Sequence, residues 1–69
     1  MIEALIARQR ELKLSDGEFA RRLGVSRTLW VAVRTRKRAV GMRLLRGTIQ
    51  AFPDLERDVL AFLRQPEER

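Results

Sequence analysis

The chain has 69 residues, a formal net charge of +6 from 15 basic and nine acidic side chains, and neither cysteine nor histidine. That length predicts one domain, residues 1–64 followed by a frayed tail at 65–69, with a small core, because so short a chain buries only about 60% of the surface it exposes when unfolded. The composition excludes disulfides and thiolate metal sites, removes the commonest general base, and leaves no apolar run near the roughly 20 residues of a membrane helix.

Apolar residues recur with helical rather than alternating spacing, which predicts an all-α bundle of five short helices. The first, over 2–13, turns Ile2, Leu5, Ile6, Gln9 and Leu12 to one face, with Gln9 a polar member of an apolar arc. Ser15 and Glu18 have capping-box spacing and open the second helix. Phe19, Ala20 and Leu23 face inward, and Gly24 ends the helix at the position that favours positive φ. Val25 anchors the turn, and Ser26 caps the third helix by accepting from its free N–H groups.

On that third helix, about 27–35, Trp30 and Val33 face inward with Leu29 beside them. Thr28, Val31, Ala32 and Thr35 lie opposite, with Arg27 at their leading edge. Residues 35–40 read as a basic connector. The fourth helix, about 41–52, should turn Met42, Leu45, Ile49 and Phe52 inward and leave Leu44 outside. Pro53 stops it, since proline disfavours a helical residue before it. Asp54 is placed to cap a fifth helix over 55–64, with Leu55, Val59, Phe62 and Leu63 inward and Leu60 outside that arc.

Charge is unevenly spread. Residues 1–18 carry a net −1, residues 19–53 carry +9 with no acidic side chain, and residues 54–69 carry −2. A basic middle set against acidic ends is the pattern of a polyanion-binding face, although arginine-rich solvated surface gives the same count.

Leu14-Ser15, Glu18-Phe19-Ala20, Leu23-Gly24-Val25-Ser26-Arg27, the inward Trp30 and Val33, and Met42, Leu45, Ala51 and Phe52 together carry a resemblance. Over about residues 2–63 the chain resembles the lambda-repressor-like, Cro-type helix-turn-helix regulators, the xenobiotic-response-element family. The resemblance implies a small transcriptional regulator that binds a double-stranded DNA operator, commonly as a homodimer. Asp16 stands where that family often has a phosphate-directed glutamine, so it is not carried over as a contact. Gln9 and Arg34 stand where the family often pairs an arginine with a glutamate, so that ion pair is absent and Arg34 is free to reach outward. Arg36 replaces a glycine that often ends the third helix, which implies a longer helix or a different connector.

In such a motif the third helix enters the major groove and its N-terminal residues read base edges. Arg27 is the main candidate for base readout, since a guanidinium can donate two bonds to guanine. Thr28, Val31, Ala32 and Thr35 share its face, and Val31 and Ala32 either meet thymine methyls or turn partly into the core. Ser26, Arg21, Arg22, Arg36, Lys37, Arg38 and Arg43 are the expected phosphate contacts, with helix starts at Ser15 and Ser26 also suited to phosphate, and Arg46 a solvated charge. Leu44 and Leu60 are candidate dimer contacts.

No cofactor, metal, membrane partner or small-molecule ligand is expected, and the absence of a signal-type N-terminus predicts a cytoplasmic protein, nucleoid-associated when bound to DNA. Without histidine, cysteine, tyrosine or a phosphate-cradling glycine loop, an enzyme is not expected. The alternative is an antitoxin or antirepressor-type module that keeps the fold and binds a protein. Asp16 and the apolar Val31–Ala32 surface favour that alternative.

Overall fold

A computed structural model describes residues 1–64, so the expected frayed tail lies outside the described residues. Five α-helices and no strand occupy the described residues: α1 Ile2–Leu12, α2 Asp16–Leu23, α3 Arg27–Arg34, α4 Met42–Ala51 and α5 Glu56–Arg64, with a short 3-10 turn Pro53–Leu55 before the last.

The helix ends follow local chemistry. Ser15 and Glu18 form both halves of a capping box, the Ser15 hydroxyl accepting from the Glu18 N–H at 3.2 Å and the Glu18 carboxylate accepting from the Ser15 N–H at 3.2 Å. Ser26 Oγ accepts from the Leu29 N–H at 3.0 Å. At the other ends, α1, α2 and α3 close in the same way. Lys13, Gly24 and Arg36 adopt left-handed φ values of 56°, 75° and 65°. The N–H of the following residue then reaches back to Gln9, Ala20 and Ala32 carbonyls respectively. Only Gly24 has the residue type that signals this ending. Arg36 therefore does not lengthen the third helix; it takes the left-handed conformation of a glycine, and α3 stops at Arg34.

The core is built around Trp30 and Phe19, both fully buried, whose ring centroids lie 5.0 Å apart. Phe52 stacks on the other side of Phe19 at 5.6 Å. Leu5, Leu23, Val33 and Leu44 complete the centre. Trp30 and Val33 thereby fix which side of α3 is hidden.

The rotation of α4 departs from the hydropathy reading. Met42, expected inside, is 59% exposed, whereas Leu44, expected outside, is 1% exposed. The buried face is Leu44, Leu45, Gly47, Thr48 and Phe52, turned by roughly 100°, about one residue, from the most apolar arc. Gly47 supplies the reason. A Cβ at that position would overlap the Leu23 carbonyl oxygen, so the α4 backbone lies directly on the end of α2. Close approach selects the face with the smallest side chains. Thr48 is fully buried there, its hydroxyl donating to the Leu44 carbonyl at 2.8 Å.

Other edges of the core are also looser than their periodicity predicts. Leu12 and Leu63 are 40% and 54% exposed, because each lies in the last turn of a terminal helix, beyond the cover of its neighbours. Asp54 does not cap α5. It sits in the 3-10 turn, and its carboxylate is taken by the Arg8 guanidinium, which also lies over the Phe52 ring at 5.0 Å.

Candidate nucleic-acid interface

The outward side of α3 follows from what its inner side buries. With Trp30 and Val33 in the core, Arg27, Thr28, Val31, Ala32 and Thr35 fall within an arc of about 140° on the opposite side. Arg27, Thr28 and Thr35 are exposed, and Val31 and Ala32 are half-buried. Neither Val31 nor Ala32 belongs to the core cluster or packs against it. The Arg27 stem lies over the start of α2, its Cδ 3.7 Å from where a Gly17 Cβ would stand. The Thr35 hydroxyl donates back to the Val31 carbonyl at 2.7 Å.

Basic side chains cluster on the elements next to α3. Arg21 and Arg22 project from the last turn of α2, Lys37 and Arg38 from the connector, and Arg43 and Arg46 from α4; all six are exposed. Arg38 and Arg43 border one shallow cleft with Leu29 and Val33 of α3. Arg43 and Arg46 border another that opens at Gly24, in the turn between α2 and α3. Arg46 was set apart by sequence position alone, since only the packing of α4 on Leu23 brings it beside that turn. Among the described residues, none of these six, nor Arg27, pairs with a carboxylate.

Three other arginines are engaged internally. Arg36 donates to Glu3 at 2.7 Å and so ties the connector to the start of α1. Glu3 is held below the ordinary carboxylate pKa by a backbone hydrogen bond first and by Arg36 second. Arg8 pairs with Asp54, whose pKa is lowered chiefly by that hydrogen bond.

Arg34 does not reach outward. It donates to Asp16 at 3.0 Å, and its Nε is buried without a partner. Asp16 also accepts from the Gln9 amide at 3.0 Å, and Gln9 in turn accepts the Trp30 indole N–H at 3.1 Å. This network joins α1, the start of α2 and the inner side of α3. It explains the polar Gln9 in the apolar arc and converts Asp16 from a surface carboxylate into a structural one. Gln9 foremost, with Arg34 behind it, keeps the Asp16 pKa below its usual value despite partial desolvation. The resemblance sets Gln9 and Arg34 at paired positions, but nothing in the sequence joins Asp16 and Trp30 to them.

The two serine-capped helix starts differ electrostatically. Asp16 and Glu18 occupy the first turn of α2, so its N-terminus is already met by the protein's own carboxylates and is not an open phosphate seat. The first turn of α3 contains no acidic residue.

Of the two candidate dimer contacts, Leu60 is 42% exposed on α5, whereas Leu44 is buried in the core and offers no surface. Among the described residues no group of three or more potential ligands could hold a metal ion, and no helix is long and apolar enough to cross a membrane. In comparisons with protein-family models, curated proteins and solved structures, nothing matches this chain.

Proposed function

We propose that this chain is a small transcriptional regulator that binds double-stranded DNA, with α2 and α3 acting as a helix-turn-helix and α3 entering the major groove. One observation carries the reading. The last turn of α2, the connector after α3, and α4, which packs on α2, carry six exposed cations, and none of them is paired with a described carboxylate. Ion pairs neutralise Arg8, Arg34 and Arg36, and seven of the eleven described cations left unpaired fall between residues 21 and 46, the stretch that a groove-docked helix-turn-helix would bring to two phosphate strands.

In this reading Arg27 reads a guanine, and Arg21, Arg22, Lys37, Arg38 and Arg43 grip phosphates, with Arg46 added to that set by its place beside Gly24. Ser26 stays at the phosphate-facing start of α3, while Arg36 contributes less because Glu3 competes for it. A single domain covers one half-site; a homodimer, for which the exposed Leu60 is the remaining candidate contact, would need its recognition helices about 34 Å apart. Sedimentation of Leu60→Glu beside the parent tests that interface, and unchanged association excludes Leu60.

Titration of random-sequence duplex at stepped salt tests the DNA reading. Binding should fall linearly in a log–log plot, and Lys37→Ala should reduce the slope by about 1. Arg27→Ala should cost about 1–3 kcal/mol on a selected site and relax one base position. Lack of affinity at low salt would overturn the proposal. The half-exposed Val31 and Ala32 favour a second reading, in which the same face docks an antitoxin- or antirepressor-type protein partner.

A further inference from the structure

The outward side of α3 is chemically lopsided. Base readout in the major groove uses a guanidinium or ammonium for guanine, an amide for adenine, a carboxylate for cytosine and an apolar contact for the thymine methyl. Arg27, Thr28, Val31, Ala32 and Thr35 include one guanidinium and neither an amide nor a carboxylate. Nor does the rest of the described chain supply an amide to this face. It has no asparagine. Gln9 is engaged inside by Asp16 and Trp30, and Gln50 lies on α4 beside Arg43 and Arg46.

Thr35 adds to the imbalance. Its hydroxyl proton is committed to the Val31 carbonyl at 2.7 Å, so this exposed side chain has no donor left for a base edge and presents its methyl beside an oxygen that can only accept. Val31 and Ala32 present further methyl groups outside the core. Valine in a helix keeps essentially one χ1 rotamer, so its methyls are held in place before anything binds. Ala32 is short enough to bring the helix backbone close to a groove floor.

We infer that α3 reads the C5-methyl groups of pyrimidines, through Val31, Ala32 and the Thr35 methyl, next to a guanine taken by Arg27. This rests on the DNA-binding reading above. Thymine and 5-methylcytosine carry the same methyl at the same place in the major groove, and either satisfies the surface. The basic rim supplies affinity for any duplex, and the methyl stripe supplies the preference.

The test selects the tightest duplex from a random pool with the full chain, then replaces its thymines by uracil. That change removes methyl groups from the ligand while leaving every base-pair hydrogen bond and the protein untouched. Burying one methyl is worth about fourfold in affinity, so a site with two contacted thymines should weaken by roughly tenfold or more with an unchanged salt slope. Val31→Ala should shrink the thymine-to-uracil ratio by about fourfold. Substituting 5-methylcytosine for cytosine in matched duplexes separates the sources. A gain there shows that the methyl is read whatever base carries it, and a gain confined to thymine assigns that base. Equal affinity for thymine and uracil duplexes, with the salt slope intact, overturns methyl reading alone. No binding to any duplex at low salt overturns the DNA reading and this inference together.

Discussion

The starts of α2 and α3 are built on one backbone plan and carry opposite charges. Each follows a left-handed residue and a partly or fully buried apolar residue: Lys13-Leu14-Ser15 in one case, Gly24-Val25-Ser26 in the other. Each serine has extended backbone angles and accepts from the N–H three residues on. At α2 the first turn then carries Asp16 and Glu18, which satisfy the helix end and tie it to α1 and α3. At α3 the first turn carries Arg27 and no acid, so the positive end of the helix is left uncompensated. The difference shows that capping geometry alone does not tell a helix start engaged by its own fold from one left uncompensated. The charges in the first turn do.

The spacing between the two starts depends on the turn at Leu23–Val25, on which α4 rests through Gly47. Gly47→Ala should therefore give the largest effect, a loss of about 3 kcal/mol or more in denaturant unfolding, because backbone rather than a flexible side chain must move. Next, Asp16→Ala should cost about 2 kcal/mol, since it leaves the half-buried Arg34 without its acceptor and removes one of the two acceptors of the Gln9 amide.

The same joint predicts a pH dependence that the α3 start lacks. The Asp16 pKa is depressed in the fold, so its contribution is fully present above the unfolded value near 3.8 and is lost as pH falls through the lower folded value. Asp16→Asn should flatten that acid limb in pH-stepped unfolding.

Smaller effects sharpen the contrast. Ser15→Ala and Ser26→Ala should each cost about 1 kcal/mol by thermal unfolding. Under the proposed function only Ser26→Ala also weakens DNA binding, and equal losses from both would erase the distinction. Smallest of all, Gly17→Ala should stabilise by about 0.5 kcal/mol, because a Cβ there meets only the Arg27 Cδ in ordinary contact and a helical glycine is replaced. Unchanged stability would mean that Arg27 gives up its position over α2.

Local features of this chain were legible before its fold. The Ser15–Glu18 box, the Gly24 ending, the Ser26 cap and the burial of Phe19, Trp30 and Val33 each depend on neighbours within one or two helical turns. The candidate interface was legible to the same extent, since its five outward positions on α3 follow from which residues of one helix are apolar enough to hide. What failed was the facing of α4. Hydropathy nominated Met42, whereas a backbone contact between Gly47 and Leu23, residues far apart in the chain, placed Leu44 inside.

The sequence by itself determined the helices, the caps at Ser15, Gly24 and Ser26 and the concentration of positive charge between residues 19 and 53, because these rest on short-range hydrogen bonding, side-chain periodicity and composition. Only the tertiary structure decided which charges are free. Arg34 and Arg36 carry the same formal charge as Arg38 and Arg43, yet they are taken by Asp16 and Glu3. Those pairings span 18 and 33 residues and arise only once helix packing has brought the partners within hydrogen-bonding reach, a distance that no local pattern encodes.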